Sequence, residues 1–184
     1  TIVFHAVTDR WYRLPPKLAS ASRVSKALEV IGSRWPDHET TDSPSEAPVF
    51  IFSAGWRSGS TLLQRLIVSS GEVHIWGEPL GESAFLPRLV HGLTAITGHW
   101  PPSTYFPDTT PSNPGDLAKR WIANLTPPMG ALLSGHRAFF REWLSVPARQ
   151  IYGASRWGLK EVRLTIDHAR YLKWLFPDAR FFFI

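Results

Sequence analysis

The sequence contains no cysteine and a single methionine among its 184 residues. The lack of cysteine excludes disulfide bonds, thiolate metal ligands and cysteine nucleophiles. No apolar run reaches the roughly 20 residues of a transmembrane helix, and no signal-peptide pattern opens the sequence. We therefore expect a cytoplasmic protein without a transmembrane segment.

Aromatic residues, in contrast, are abundant, with nine Trp and eleven Phe. Hydrophobic residues make up 43% and charged residues 19%, which is typical of a globular domain with its own core. The formal net charge is +5 with neutral histidines. Because Lys and Arg form no dense cluster, we expect no nucleic-acid partner.

The hydrophobic pattern divides the chain into three parts. Residues 1–35 are predicted to form a helical arm, because apolar residues recur at helical spacing over 17–34. Residues 36–48 are polar, acidic and rich in proline, which indicates a flexible linker. Residues 49–184 are predicted to form the main domain.

Strand and helix patterns alternate in this domain. Short apolar runs predict strands at 49–52, 72–76, 157–162 and 180–184, the last of them a central strand. Periodic apolar residues predict the helices 60–70, 85–96, 116–125, 136–144 and 165–176. This order predicts an α/β fold with a central parallel sheet flanked by helices.

The turn after the first strand carries the strongest local signal. "GWRSGST", Gly55 to Thr61, joins a buried strand to a helix. Unpaired N–H groups and the helix dipole favour an anion at such a helix start, and Arg57 adds a fork of donors that suits a phosphate. The same pattern is also compatible with a tight turn that has an exposed Arg and a Ser cap.

Two common motifs fail at this loop. The ATP/GTP loop requires Lys before the Ser/Thr, and the hydrolase elbow requires Ser one place earlier. The stretch "FSAGWRSGSTLLQRLI" instead resembles the 5′-phosphosulfate-binding loop of the sulfotransferases, which use the sulfate donor 3′-phosphoadenosine 5′-phosphosulfate (PAPS). The resemblance implies a P-loop-like three-layer fold and a donor site made of Gly55, Trp56, Arg57, Ser58, Gly59, Ser60 and Thr61.

Two later stretches resemble the same family, in its tyrosylprotein and bacterial carbohydrate-type members. "IWGEPL" implies Glu78 as the catalytic base, and "GLKEVRLTIDHARYLKWLFPDARFFFI" implies Lys160 as a contact of the sulfonate. Glu161 and Val162 replace the usual Asp and Pro of that segment. From the residues alone, Glu78 is also compatible with a salt bridge or a helix-start carboxylate, and Lys160 with an edge or surface position. Glu82 is the nearby competitor for the role of base.

The resemblance places the residues that bind the 3′-phosphate just beyond Ile184, so we expect the sequence to lack the C-terminal part of the domain. The expected function is direct in-line transfer of the PAPS sulfonate to a hydroxyl of a carbohydrate, lipid or small metabolite. Arg57, Glu78 and Lys160 are the expected catalytic residues, and no metal is expected. The alternatives are a P-loop kinase or NTPase and a non-catalytic anion-binding relative.

Overall fold

The computed structural model describes residues 21–36, 46–106, 113–119, 122–162 and 164–184. The strands of this part are β1 Val49–Ser53, β2 Val73–Trp76, β3 Arg156–Val162 and β4 Arg180–Phe183. Its α-helices are α1 Ala21–Arg34, α2 Ser60–Val68, α3 Phe85–Gly92, α4 Pro114–Leu117, α5 Met129–Phe140, α6 Val146–Tyr152 and α7 Ile166–Leu175. A π-helical turn, Arg141–Ser145, joins α5 to α6.

The four strands form one parallel sheet in the order β2-β3-β1-β4. The α/β fold with a parallel sheet flanked by helices is therefore confirmed. In the described part of the chain β4 pairs with β1 alone and lies at an edge, so its prediction as a central strand is wrong there.

The alternation of side chains along the strands produces two cores. On one face of the sheet, Val49, Ile51 and Ile75 pack with Leu63 and Ile67 of α2. On the other face, apolar residues of the strands pack with α1, α3, α5 and α7, and they include Phe50, Leu133, Phe140, Trp157, Leu159 and Leu172. This gives the three layers of a helix–sheet–helix arrangement.

Helix α1 contributes to the larger core. Its buried residues Val24, Ala27 and Ile31 belong to the same apolar cluster as the strands. Ser25 of α1 donates a hydrogen bond to Asp167 of α7, whose side chain is buried. The part of the predicted arm before residue 21 and most of the predicted linker, 37–45, lie outside the described residues.

The middle of the domain differs most from the prediction. The helix expected over 116–125 is replaced by the short helix α4 and a 3₁₀ turn, Ile122–Asn124, with residues 120–121 outside the described part. Helix α5 begins at Met129 rather than near 136, and α6 was not predicted. Gly130, Gly135 and Pro147 lower helix propensity in these segments, but packing of α5 on the core outweighs that preference.

Candidate functional site

The loop between β1 and α2 starts at the carboxyl end of the sheet. Arg57 and Gly59 adopt positive φ values of 60° and 91°, so the chain reverses direction over a few residues. Arg57, Gly59 and Thr61 are exposed, whereas Ser60 is buried. Gly59 directly precedes α2, and a positive φ there is accessible to glycine at little cost.

Hydrogen bonds of two serine hydroxyls stabilise this loop. The buried Ser53 hydroxyl donates to the carbonyl oxygen of Gly55 at 2.6 Å and lies 2.7 Å from the Ser58 hydroxyl. Because the single proton of Ser53 is used on Gly55, Ser58 must donate in the second bond. Ser58 therefore shapes the loop in this structure, and Ser53 is a contributor that the sequence analysis missed.

The start of α2 faces the same loop. The first helical hydrogen bond runs from the Leu63 N–H to the Gly59 carbonyl at 3.0 Å, so earlier amides have no partner inside the helix. No side chain in the described part of the chain caps this end, since the cap position is Gly59. An uncapped helix start beside an exposed Arg57 has the electrostatic character of an anion site.

The structure brings Glu78 and Lys160 together, although they are 82 residues apart in sequence. The Lys160 ammonium donates to Oε1 of Glu78 and forms an ion pair with it. The Lys160 side chain is 9% exposed and that of Glu78 is 40% exposed, so the base candidate is accessible and its partner is enclosed. Lys160 is register-paired with Ile51 in β1, which places it on the α2 face of the sheet.

The β2–α3 loop that carries Glu78 is locally strained. Leu80 and Ala84 have φ values of 57° and 51°. Together with Arg57 they are the non-glycine residues with positive φ in the described part of the chain. Each such residue costs on the order of 1 kcal/mol or more. The two strained loops follow β1 and β2, whose carboxyl ends flank the end of β3.

A hydrogen bond from the end of β2 supports this loop. The Trp76 indole N–H donates to the Leu144 carbonyl at 2.9 Å, and Leu144 lies in the π-helical turn. On the other side, Gln64 of α2 donates to the Ile75 carbonyl at 2.7 Å. The residues just before Glu78 are thus fixed on both faces of the sheet.

Two of the described histidines, His74 and His136, make packing contacts of their own. His74 stacks on Tyr152 with ring centroids 3.9 Å apart. His136 Nδ1 lies 2.7 Å from the hydroxyl of the fully buried Tyr171, and burial lowers the pKa of His136. These contacts give both residues a packing role.

Comparisons of the chain with protein-family models, with curated proteins and with solved structures found no match. Among the described residues, no helix is both long and apolar enough to cross a membrane. Nor do the described His, Asp and Glu side chains form a group of three that could hold a metal ion.

Proposed function

We propose that the chain is a PAPS-dependent sulfotransferase that acts on a hydroxyl of a carbohydrate, lipid or small metabolite. The observation that carries the proposal is the contact between Glu78 and Lys160 at the carboxyl end of the sheet, where the Arg57 loop also begins. A carboxylate, an ammonium and an uncapped helix start converge where α/β folds bind their ligands.

The loop suits the anionic part of the donor. Arg57 is exposed, and its guanidinium matches the geometry of phosphate oxygens. The amides at the start of α2 lie at the positive end of the helix dipole. Residues from Gly55 to Thr61 would hold the 5′-phosphosulfate, with Ser58 and Ser53 keeping the loop in shape. PAPS supplies an activated sulfonyl group to this site.

The Glu78–Lys160 pair suits the transfer. Glu78 accepts the proton of the acceptor hydroxyl while the acceptor oxygen forms its bond to sulfur. The bond between sulfur and the bridging oxygen breaks, and the electron pair leaves with the nucleotide 3′,5′-bisphosphate (PAP). Lys160 then offsets the negative charge on the leaving oxygen. Its side chain is 9% exposed, and an ammonium that is shielded from water stabilises a nearby negative charge more strongly.

Donor binding is the first test. Calorimetry on the full-length protein compares PAP with ATP, using wild type, Arg57→Ala and the exposed α2 residue Arg65→Ala as a matched control. We expect PAP to bind in preference to ATP, and Arg57→Ala to weaken PAP about 10- to 100-fold through loss of charge-assisted hydrogen bonds. Preference for ATP would favour a kinase or NTPase, and normal PAP binding by Arg57→Ala would refute the loop assignment.

Transfer is the second test. Labelled sulfate is followed from PAPS to a polysaccharide, a glycolipid and a phenol. Glu78→Gln should lower the rate about 10²- to 10⁴-fold, the usual contribution of a general base. Glu72→Gln is the control, because Glu72 is exposed next to the opposite end of β2. Equal rates for Glu78→Gln and wild type would leave the ion pair a structural contact.

A further inference from the structure

Gly81 lies where a side chain would meet the candidate catalytic base. A Cβ atom at this position would lie 3.2 Å from Cβ of Glu78 and 3.8 Å from its Oε2. The same point is 3.7 Å from Oε2 of Glu161. Side-chain atoms of both Glu78 and Glu161 thus border the space that the missing side chain leaves.

Glu161 approaches Gly81 from strand β3. It follows Lys160 in β3, so the two side chains leave the strand on opposite faces. Glu161 is register-paired with Phe52 and is 6% exposed. Glu78 therefore has the Lys160 ammonium as its partner, and the buried Glu161 side chain borders the space beside Gly81.

We propose that Gly81 is a positioning residue for the Glu78–Lys160 pair, and that Glu161 is the wall that closes the space beside Gly81. The inference rests on the proposed function for its catalytic meaning. Its structural part, that the missing side chain at Gly81 leaves Glu78 the room to reach Lys160, stands on the contacts alone.

The ion pair and the turn together fix the position of Glu78. The Lys160 ammonium attracts the Glu78 carboxylate, and the turn at Gly81 holds the Glu78 backbone. The turn itself is closed by a hydrogen bond from the Gly81 N–H to the Glu78 carbonyl at 3.1 Å. With the turn closed, an added methyl group at Gly81 must displace the Glu78 side chain or open the turn.

The first measurement needs no donor or acceptor. The ammonium groups of the five lysines are recorded by ¹H–¹⁵N correlation NMR, and the Lys160 signal is assigned by its loss in Lys160→Arg. We expect an ordered Lys160 signal in wild type and its loss or shift in Gly81→Ala. Gly92→Ala is the matched control, because Gly92 is helical and a Cβ there meets nothing within 4 Å.

The second measurement separates binding from turnover. Gly81→Ala should lower kcat about 10- to 100-fold, the cost of a misplaced catalytic group, with PAP affinity unchanged. Glu161→Asp withdraws the wall by one methylene while keeping its charge, so alone it should lower kcat less. Combined with Gly81→Ala it should restore part of the activity, because the methyl group gains room on the Glu161 side.

The outcomes separate the two proposals. Wild-type kcat and a wild-type Lys160 signal in Gly81→Ala would overturn the positioning role. So would a double variant that is no better than Gly81→Ala alone. If Gly81→Ala does not fold, a wild-type Lys160 signal in Glu161→Asp overturns it. Failure of the wild-type protein to bind PAP would instead refute the proposed function, with the NMR result still deciding the positioning role.

Discussion

Gly158 in the centre of the sheet gives the sharpest stability prediction. It lies in β3, register-paired with Val49 of β1 and Ile75 of β2. A Cβ atom at Gly158 would lie 2.0 Å from the Val49 carbonyl oxygen, 3.0 Å from the Val49 carbonyl carbon and 3.3 Å from Cγ1 of Ile75. Because the nearest atoms belong to a backbone, no rotamer change relieves the contact.

The magnitude follows from the separation that the methyl group requires. A carbon and a carbonyl oxygen approach to about 3.3 Å, so β1 and β3 must move apart by about 1 Å at Val49. We expect about two ladder hydrogen bonds to be lost at about 1 kcal/mol each, and overpacking to add about 1–3 kcal/mol. Gly158→Ala should therefore cost about 3–5 kcal/mol, a large part of the total stability of a domain.

Urea unfolding followed by tryptophan fluorescence measures this cost, and the buried Trp157 next to the substitution reports on the same strand. Gly32→Ala is the matched control, because Gly32 lies in α1 and a Cβ there meets nothing within 4 Å. The control should gain up to about 1 kcal/mol from helix propensity. A free energy of unfolding for Gly158→Ala within about 1 kcal/mol of wild type would refute the reasoning.

Two further predictions concern the core. Burial lowers the pKa values of His74, His136 and His168 below 6.5 in the folded chain, so their contribution to stability is complete above pH 6.5 and is lost as the pH falls below it. The urea midpoint should therefore be lower at pH 5.5 than at pH 7.5. The difference should be smaller in His168→Gln, which keeps an acceptor for the Thr165 N–H. Equal midpoints at the two pH values in the wild-type protein would contradict this. Asp167→Ala should cost about 1–3 kcal/mol and increase hydrogen exchange in α1, because it removes the buried acceptor of Ser25; unchanged exchange in α1 would contradict the contact.

The strands and their parallel direction could be predicted because their signals are local. Val49–Ser53 is buried along its whole length, and a continuous apolar run is the pattern of such a strand. The bounds of α7 also follow from its sequence, since apolar residues repeat at helical spacing and Pro177 comes after it. The order of the strands could not be predicted, because it depends on packing between distant segments.

The π-helical turn between α5 and α6 could not be predicted either, for a different reason. Arg141–Ser145 continues directly from α5 into α6, so the sequence contains one long helical segment with a local change of winding. The Leu144 carbonyl in this turn accepts a hydrogen bond from the Trp76 indole. Neither Trp76 nor Leu144 carries a local signal for this bond, which only the folded sheet brings within reach.

In the candidate site, too, some residues have a local sequence signal and others depend on tertiary contacts. Arg57 was predicted from a strand–turn–helix pattern, and the structure places it in such a turn. Glu78 and Lys160 were selected by resemblance, and periodicity gave no reason for them to touch. The supporting residues Ser53 and Gly81 were not selected at all, because their roles depend on contacts made by tertiary structure.

The distribution of strain links the loops to the sheet beneath them. Arg57, Leu80 and Ala84 are held in an unfavourable backbone region, and a short loop alone would relax from it. Both loops follow strands of the buried sheet, and the Gln64 side chain donates to the Ile75 carbonyl near the end of β2. The proposed transfer gives this strain a use. Loops that are already shaped when the donor binds would favour both the anionic donor and the proton transfer, since neither Arg57 nor Glu78 would have to be reoriented.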